Sequence, residues 1–111
     1  MITPSELRIG NWVAYADDPL VQFQCDIQHL VDIHDEKIEV LPIGLTPEFL
    51  ERCDFKNNGQ GLFDHDSGNI SLRPTTTGYK VIGTHELSVQ YLHQLQNLYY
   101  SLTYTELNYT P

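Results

Sequence analysis

Val21-Gln22-Phe23-Gln24-Cys25-Asp26-Ile27-Gln28-His29-Leu30-Val31-Asp32-Ile33-His34 carries the clearest strand signal in the chain. Val21, Phe23, Cys25, Ile27, Val31 and Ile33 occupy odd positions, while Gln22, Gln24, Asp26, Gln28, Asp32 and His34 occupy even ones. A repeat of two residues belongs to a strand with one dry and one wet face, so a long strand is predicted over 21–34. His29 interrupts the apolar side and Leu30 the polar side, which predicts a bulge between them. Upstream, Arg8-Ile9-Gly10-Asn11-Trp12-Val13-Ala14-Tyr15 reads as a first strand, closed by the turn residues Asp17-Asp18-Pro19. Downstream, His34-Asp35-Glu36-Lys37 turns the chain and Ile38-Glu39-Val40-Leu41 returns as a third strand, stopped by Pro42.

Beyond Pro42 the signals become helical and then extended again. Thr46 as N-cap, Pro47 at the first helical position and Glu48 in the first turn predict a short helix over 47–53, burying Phe49, Leu50 and Cys53. Asn57-Asn58-Gly59-Gln60-Gly61 reads as a loop. Segments 62–65 and 69–73 flank Asp66-Ser67-Gly68 as a hairpin, 74–78 forms a loop, and Tyr79-Lys80-Val81-Ile82 makes a last strand ending at Gly83. A long helix closes the chain, with Ser88 or Thr84 as its N-cap. On a helical wheel Tyr91, Leu92, Leu95, Leu98, Tyr99 and Leu102 fall in an arc of about 120°, the width of a core-facing stripe. Gln90, Gln94, Asn97 and Ser101 lie opposite, with Val89, His93 and Tyr100 on one flank. The tail from Tyr104 to Pro111 is expected to fray. The order β-β-β-α-β-β-β-α predicts an α+β domain over residues 1–111. It would hold a small curled antiparallel sheet of about five to six strands, one short helix and one long C-terminal helix, with an SH3-like barrel as the closed form of its N-terminal end.

The chain of 111 residues suits one core, and its 41% hydrophobic content is spread along the whole length. It contains neither a membrane-length apolar run nor a signal-peptide pattern, so a cytoplasmic protein that enters no membrane is expected. Cys25 and Cys53 belong to no CxxC pair and read as buried small hydrophobes. The net charge of −9 is concentrated: positions 17–66 hold twelve acids against Lys37, Arg52 and Lys56, while Glu6, Glu86 and Glu106 balance Arg8, Arg73 and Lys80. Phosphate backbones would be repelled, which argues against direct nucleic-acid binding. A basic protein would be attracted.

Tyr91-Leu92-His93-Gln94-Leu95-Gln96-Asn97-Leu98-Tyr99-Tyr100-Ser101-Leu102-Thr103 resembles a helix near the end of short uncharacterised bacterial and prophage-encoded proteins. In those, a His-Gln-Leu-Gln-Asn-Leu-Tyr run precedes an aromatic, a small residue, Leu and Thr. Fainter likenesses lie in Leu7-Arg8-Ile9-Gly10-Asn11-Trp12-Val13 and in Pro42-Ile43-Gly44-Leu45-Thr46-Pro47-Glu48-Phe49-Leu50. Where that family commonly has Gly after the Thr, this chain has Tyr104, so the helix end is built differently. The resemblance implies a small bacterial or phage-linked domain and brings no catalytic residue with it.

Chemical motifs are sparse. Asp32, His34 and Asp35, or Asp64, His65 and Asp66, offer metal-type donors, and Asp32 and His34 would share a strand face. Nothing fixes a third ligand, and Asp-x-Asp-Ser-Gly-Asn is explained by hairpin chemistry. Cys25 lies on the apolar side of its strand, so no Cys–His nucleophile is expected there. Ser67 and Ser71 lack a nucleophile-elbow context, and no phosphate-cradling glycine loop is present. Trp12 reads as core, or as a ligand anchor if exposed. No catalytic, cofactor or metal residue is assigned.

The best functional clue is residues 87–105, LSVQYLHQLQNLYYSLTYT, which contain no Asp, Glu, Lys or Arg. Surface helices normally carry charge opposite their apolar stripe, so an uncharged polar face points to contact with protein on both sides. Gln90, His93, Gln94, Asn97, Tyr100 and Ser101 are the candidate contact residues. The leading expectation is a non-enzymatic protein–protein interaction module that self-associates through the C-terminal helix. Two alternatives are an acidic phage-type inhibitor occupying a basic host surface, and a small metal-dependent or hydrolytic enzyme.

Overall fold

A capping box at Asp26 decides the first half of the fold. In the computed structural model, which describes residues 4–68, 70–82 and 87–110, Asp26 Oδ1 accepts from the His29 amide at 2.9 Å and the Asp26 amide donates to His29 Nδ1 at 3.1 Å. Two amides that a helix start would leave orphaned are thereby satisfied. The chain therefore turns helical at Ile27, and residues expected as the second half of a long strand form a helix instead. After a 3-10 turn at Pro4–Glu6, the elements are β1 Trp12–Tyr15, β2 Gln22–Gln24, α1 Ile27–His34 and β3 Val40–Leu41. The bulge expected at His29 and Leu30 is the first turn of α1. Asp32 and His34, expected to share a strand face, lie about 160° apart around that helix.

The strand predicted from Arg8 begins only at Trp12, because Arg8 to Asn11 closes a turn. The Arg8 amide donates to Asn11 Oδ1 at 2.8 Å and the Asn11 amide to the Arg8 carbonyl at 3.1 Å. Strands β2, β1 and β3 pair antiparallel in that order, with Val13 opposite Phe23 and Tyr15 opposite Val40. Against them Leu7, Val13, Cys25, Ile33 and Val40 form a small core, joined at its margin by Phe23, Leu30 and Ile38.

The second half follows the sequence more closely. Helix α2, Pro47–Arg52, starts as expected, with Thr46 Oγ1 accepting from the Phe49 amide at 3.2 Å; it buries Leu50, and Cys53 caps its C-terminus. The strand β4, Phe55–Asn57, had no sequence signal. It opens a five-stranded antiparallel sheet with β5 Phe63–His65, β6 Ser71–Thr75, β7 Gly78–Val81 and β8 Ser88–Val89, ordered β4-β5-β6-β7-β8. The predicted hairpin is present, with Phe63 opposite Leu72 and Asp64 opposite Ser71; its Asn69 lies outside the described residues. The loop expected over 74–78 is a tight turn, since Thr75 pairs with Gly78 and Pro74 with Tyr79. Gly78 is demanded by close packing: its φ is +154°, and a Cβ there would lie 2.5 Å from the Val89 carbonyl oxygen.

Helix α3, Leu92–Thr103, begins later than predicted. Ser88, expected as its N-cap, belongs to β8; the alternative cap Thr84 and the strand end Gly83 fall outside the described residues. The buried face of α3 comprises Leu92, His93, Leu95, Gln96 and Tyr99. That face is rolled about 70° from the apolar stripe read off the wheel, so Leu102 points outward and Gln96 inward. A larger core containing Leu50, Phe55, Leu72, Val81, Leu92 and Leu95 sits between α2, the five-stranded sheet and α3. Ala14 of β1 joins it while its neighbour Val13 joins the smaller core, so β1 is the wall between the two.

The architecture is α+β, as expected, with two corrections. Among the described residues eight strands fall into two open sheets, and no barrel closes at the N-terminal end. Helix α1 takes the residues that would have lengthened a curled strand. The tail also does not fray. Leu107 and Tyr109 are buried in the larger core, and the Thr110 amide donates to the Arg52 carbonyl at 3.1 Å.

Candidate interaction surface

The amides of α3 are spent within the domain. Gln96 is buried; its Nε2 donates to the Gly10 carbonyl at 2.9 Å and its Oε1 accepts from the Trp12 amide at 2.8 Å, pinning the start of β1 to the helix. Asn97 Oδ1 accepts from Asn11 Nδ2 at 2.8 Å, and Asn97 Nδ2 donates to the Glu6 carbonyl at 3.2 Å. Gln94 Oε1 accepts from the Gln90 and Tyr91 amides at 2.9 and 3.1 Å, so it acts as the helix-start acceptor. Inward-facing uncharged groups thus account for much of the missing charge. Gln96 was not among the expected contact residues, although it lies about 40° from Leu92 on the wheel, at the margin of the buried face.

His93 is fully buried, its ring stacked parallel to Tyr91 at 6.0 Å between centroids. Among the described residues neither ring nitrogen has a hydrogen-bond partner; Nε2 lies 3.8 Å from Glu6 Oε1. Burial pushes its pKa below the ordinary imidazole value, with the Glu6 carboxylate opposing. His65, with Ser67 Oγ 2.8 Å from its Nδ1, is lowered for the same reason, with Asp54 and Asp66 opposing. The unfolded chain therefore binds protons that the folded one refuses, and stability falls as pH drops below about 6.5. Thermal midpoints should decline from about pH 7 to about pH 5, and His93→Leu should flatten that decline. An equally steep decline in the variant would assign the effect to other groups.

The expected contact residues do not form one surface. His93, Gln94 and Asn97 line a cleft of about 330 Å³ with Glu6, Leu87, Val89 and Leu98. Gln90 is exposed at the start of the helix. Tyr100 and Ser101 are exposed at its other end, where the Ser101 hydroxyl donates to the Leu98 carbonyl at 2.8 Å. That end carries further uncovered apolar area. Tyr100 is 41%, Leu102 47% and Tyr104 83% exposed, and Tyr104 ends the helix in the left-handed conformation at φ +57°. The Arg8 guanidinium lies 4.7 Å from the Tyr100 ring centroid and is paired with Glu106, so its charge is held at the margin.

Elsewhere the polar clusters are accounted for by local structure. Asp64 accepts from the Ser71 hydroxyl at 2.7 Å and from Asn58 Nδ2 at 3.2 Å, and Asp66 lies 3.7 Å from Lys56. Asp32 accepts from Gln28 at 2.9 Å, and His34 contacts Asp35 at 3.2 Å. Among the described residues no three His, Cys, Asp or Glu side chains converge on one point. Both cysteines are buried free thiols. Burial, helped by Asp26 and Asp54 respectively, raises the pKa of Cys25 to about 11 and that of Cys53 to about 12. Trp12 is partly buried against the larger core. No helix among the described residues is long and apolar enough to cross a membrane. Fold and surface together define a two-sheet α+β domain whose last helix ends in an exposed apolar patch bordered by the Arg8–Glu106 pair. The chain matches no family model, no curated protein and no solved structure.

Proposed function

We propose that this protein is a non-enzymatic interaction module that self-associates through the last turn of α3. One observation carries the reading: Tyr100, Leu102 and Tyr104 are uncovered apolar side chains within a stretch that has no ionic group. Two copies of a chain with net charge −9 repel one another, so they meet at least electrostatic cost where charge is absent. Tyrosine suits such a contact because it buries large area at modest entropy cost. Of the contact residues expected from sequence, Tyr100 and Ser101 belong to this patch. Gln94 and Asn97 support the helix from behind. A patch this small fits a weak, concentration-dependent dimer, below the roughly 1,200 Å² of stable interfaces. The resemblance of residues 91–103 to bacterial and prophage-encoded proteins supports a bacterial or phage-linked setting.

Light scattering coupled to size exclusion, run over a range of concentrations, tests this. The parent chain should shift from monomer toward dimer as concentration rises. Leu102→Glu with Tyr104→Glu should weaken association at least about tenfold, since it places charge on a desolvated contact. A strict monomer at every concentration, or a dimer indifferent to both substitutions, would refute the reading.

A further inference from the structure

Helix α1 is held to the domain along one side only. Ile33 is buried, Leu30 is half-buried, and the His29 ring packs on Phe23 at 4.5 Å. One turn apart on the outer side, Ile27 is 69% and Val31 45% exposed. These two lie about 40° apart around the axis, and Asp35 and Asp32 follow on the next flank. An exposed apolar pair at i, i+4 beside two carboxylates is half of an amphipathic contact.

The electrostatics state what the other half carries. Asp17, Asp18, Asp26, Asp32, Asp35, Glu36 and Glu39 stand against Lys37 alone in this part of the chain. Among the described residues the ion pairs of lysines and arginines lie elsewhere, at Arg8–Glu106, Arg52–Glu48 and Lys56–Asp66. Among the described residues no lysine or arginine neutralises a carboxylate between positions 17 and 39. A second copy of this face, or an anionic lipid surface, would be repelled. A helix presenting leucine-like side chains beside lysines or arginines would satisfy both features at once.

We infer that the outer face of α1, built from Ile27 and Val31 with Asp32 and Asp35, docks a basic amphipathic helical segment of another protein. The face is separate from the α3 patch, and the inference does not depend on self-association. The steering charge would make association fast and salt-sensitive, while the apolar pair would fix where the segment sits.

The test uses the full chain and a labelled synthetic helix of about 18 residues with one leucine face and one lysine face, followed by fluorescence anisotropy. Saturable binding is expected. Ile27→Ser with Val31→Ser should weaken it about tenfold with an unchanged circular dichroism spectrum, because both side chains are exposed. Asp32→Asn with Asp35→Asn should weaken it and reduce its salt dependence. Glu51→Gln with Asp66→Asn, on α2 and the β5–β6 turn, should leave it unchanged. Absence of saturable binding overturns the inference. So does equal loss in the Glu51/Asp66 control, or full affinity in the Ile27/Val31 variant, since either would mark undirected charge attraction. Loss of self-association on replacing Ile27 and Val31 also overturns it, by assigning this face to a second copy.

Discussion

Gln96→Ala should destabilise the domain by about 3 kcal/mol, lowering the thermal midpoint by roughly 12 °C in a chain of this size. The side chain is fully buried and serves two backbone atoms at once, the Trp12 amide and the Gly10 carbonyl. Truncation leaves the Trp12 amide without its acceptor and opens a void beneath β1. Gln96→Leu separates the two effects, because it fills the volume and restores neither hydrogen bond. It should recover the cavity part and leave a loss of about 1–2 kcal/mol. Urea unfolding of the three proteins measures both terms. A loss under about 0.5 kcal/mol in the alanine variant would mean that α3 and β1 are joined chiefly by apolar packing.

Tyr109→Ala should cost about 3–4 kcal/mol although the residue lies in the last few positions of the chain. Its ring meets Trp12 edge-on at 5.3 Å and Phe49 at 6.1 Å, and its hydroxyl donates to Gln22 Oε1 at 2.7 Å. It therefore touches β1, β2 and α2 together. Tyr109→Phe should cost only about 1 kcal/mol, the usual net worth of one hydrogen bond. Trp12, the chain's single tryptophan, reports directly: its emission should shift to the red in the alanine variant under native conditions. A stable variant with unchanged emission would show that the tail rests on the domain without holding it.

What could be read from the residues was local. Thr46, Pro47 and Glu48 fix the start of α2 within one turn, and Asp66-Ser67-Gly68 announces its hairpin by backbone chemistry alone. The stretch 21–34 was ambiguous in a specific way. Ile27, Leu30, Val31 and His34 have helical spacing, while Ile27, Val31 and Ile33 also fit a strand. The Asp26–His29 capping box settled the choice, and histidine rather than Glu or Gln in the return position hides that signal. The strand Phe55–Asn57 is too short to show a period and runs straight into Asn58-Gly59.

The helix α3 was legible in outline, and its buried face differs from the apolar stripe of the wheel. The lack of charge in residues 87–105 does mark a helix with unusual surroundings. Much of it reflects Gln96 and Asn97 binding the turn at Gly10 and Asn11, partners more than eighty positions away that no local pattern reveals. Once those amides turn inward, Leu102 turns out. The exposed patch at Tyr100, Leu102 and Tyr104 is the other side of the same rotation.

The placement of β1 between two cores has a consequence for synthesis. Val13 finds its neighbours Leu7, Cys25, Ile33 and Val40 within the first forty residues, so that half can condense early. Trp12 and Ala14 wait for Leu92, Leu95 and Tyr109, which leave the ribosome well after them. Until then a nascent chain displays a tryptophan-bearing strand to its surroundings, a period in which a chaperone has something to hold and a neighbouring nascent chain something to stick to.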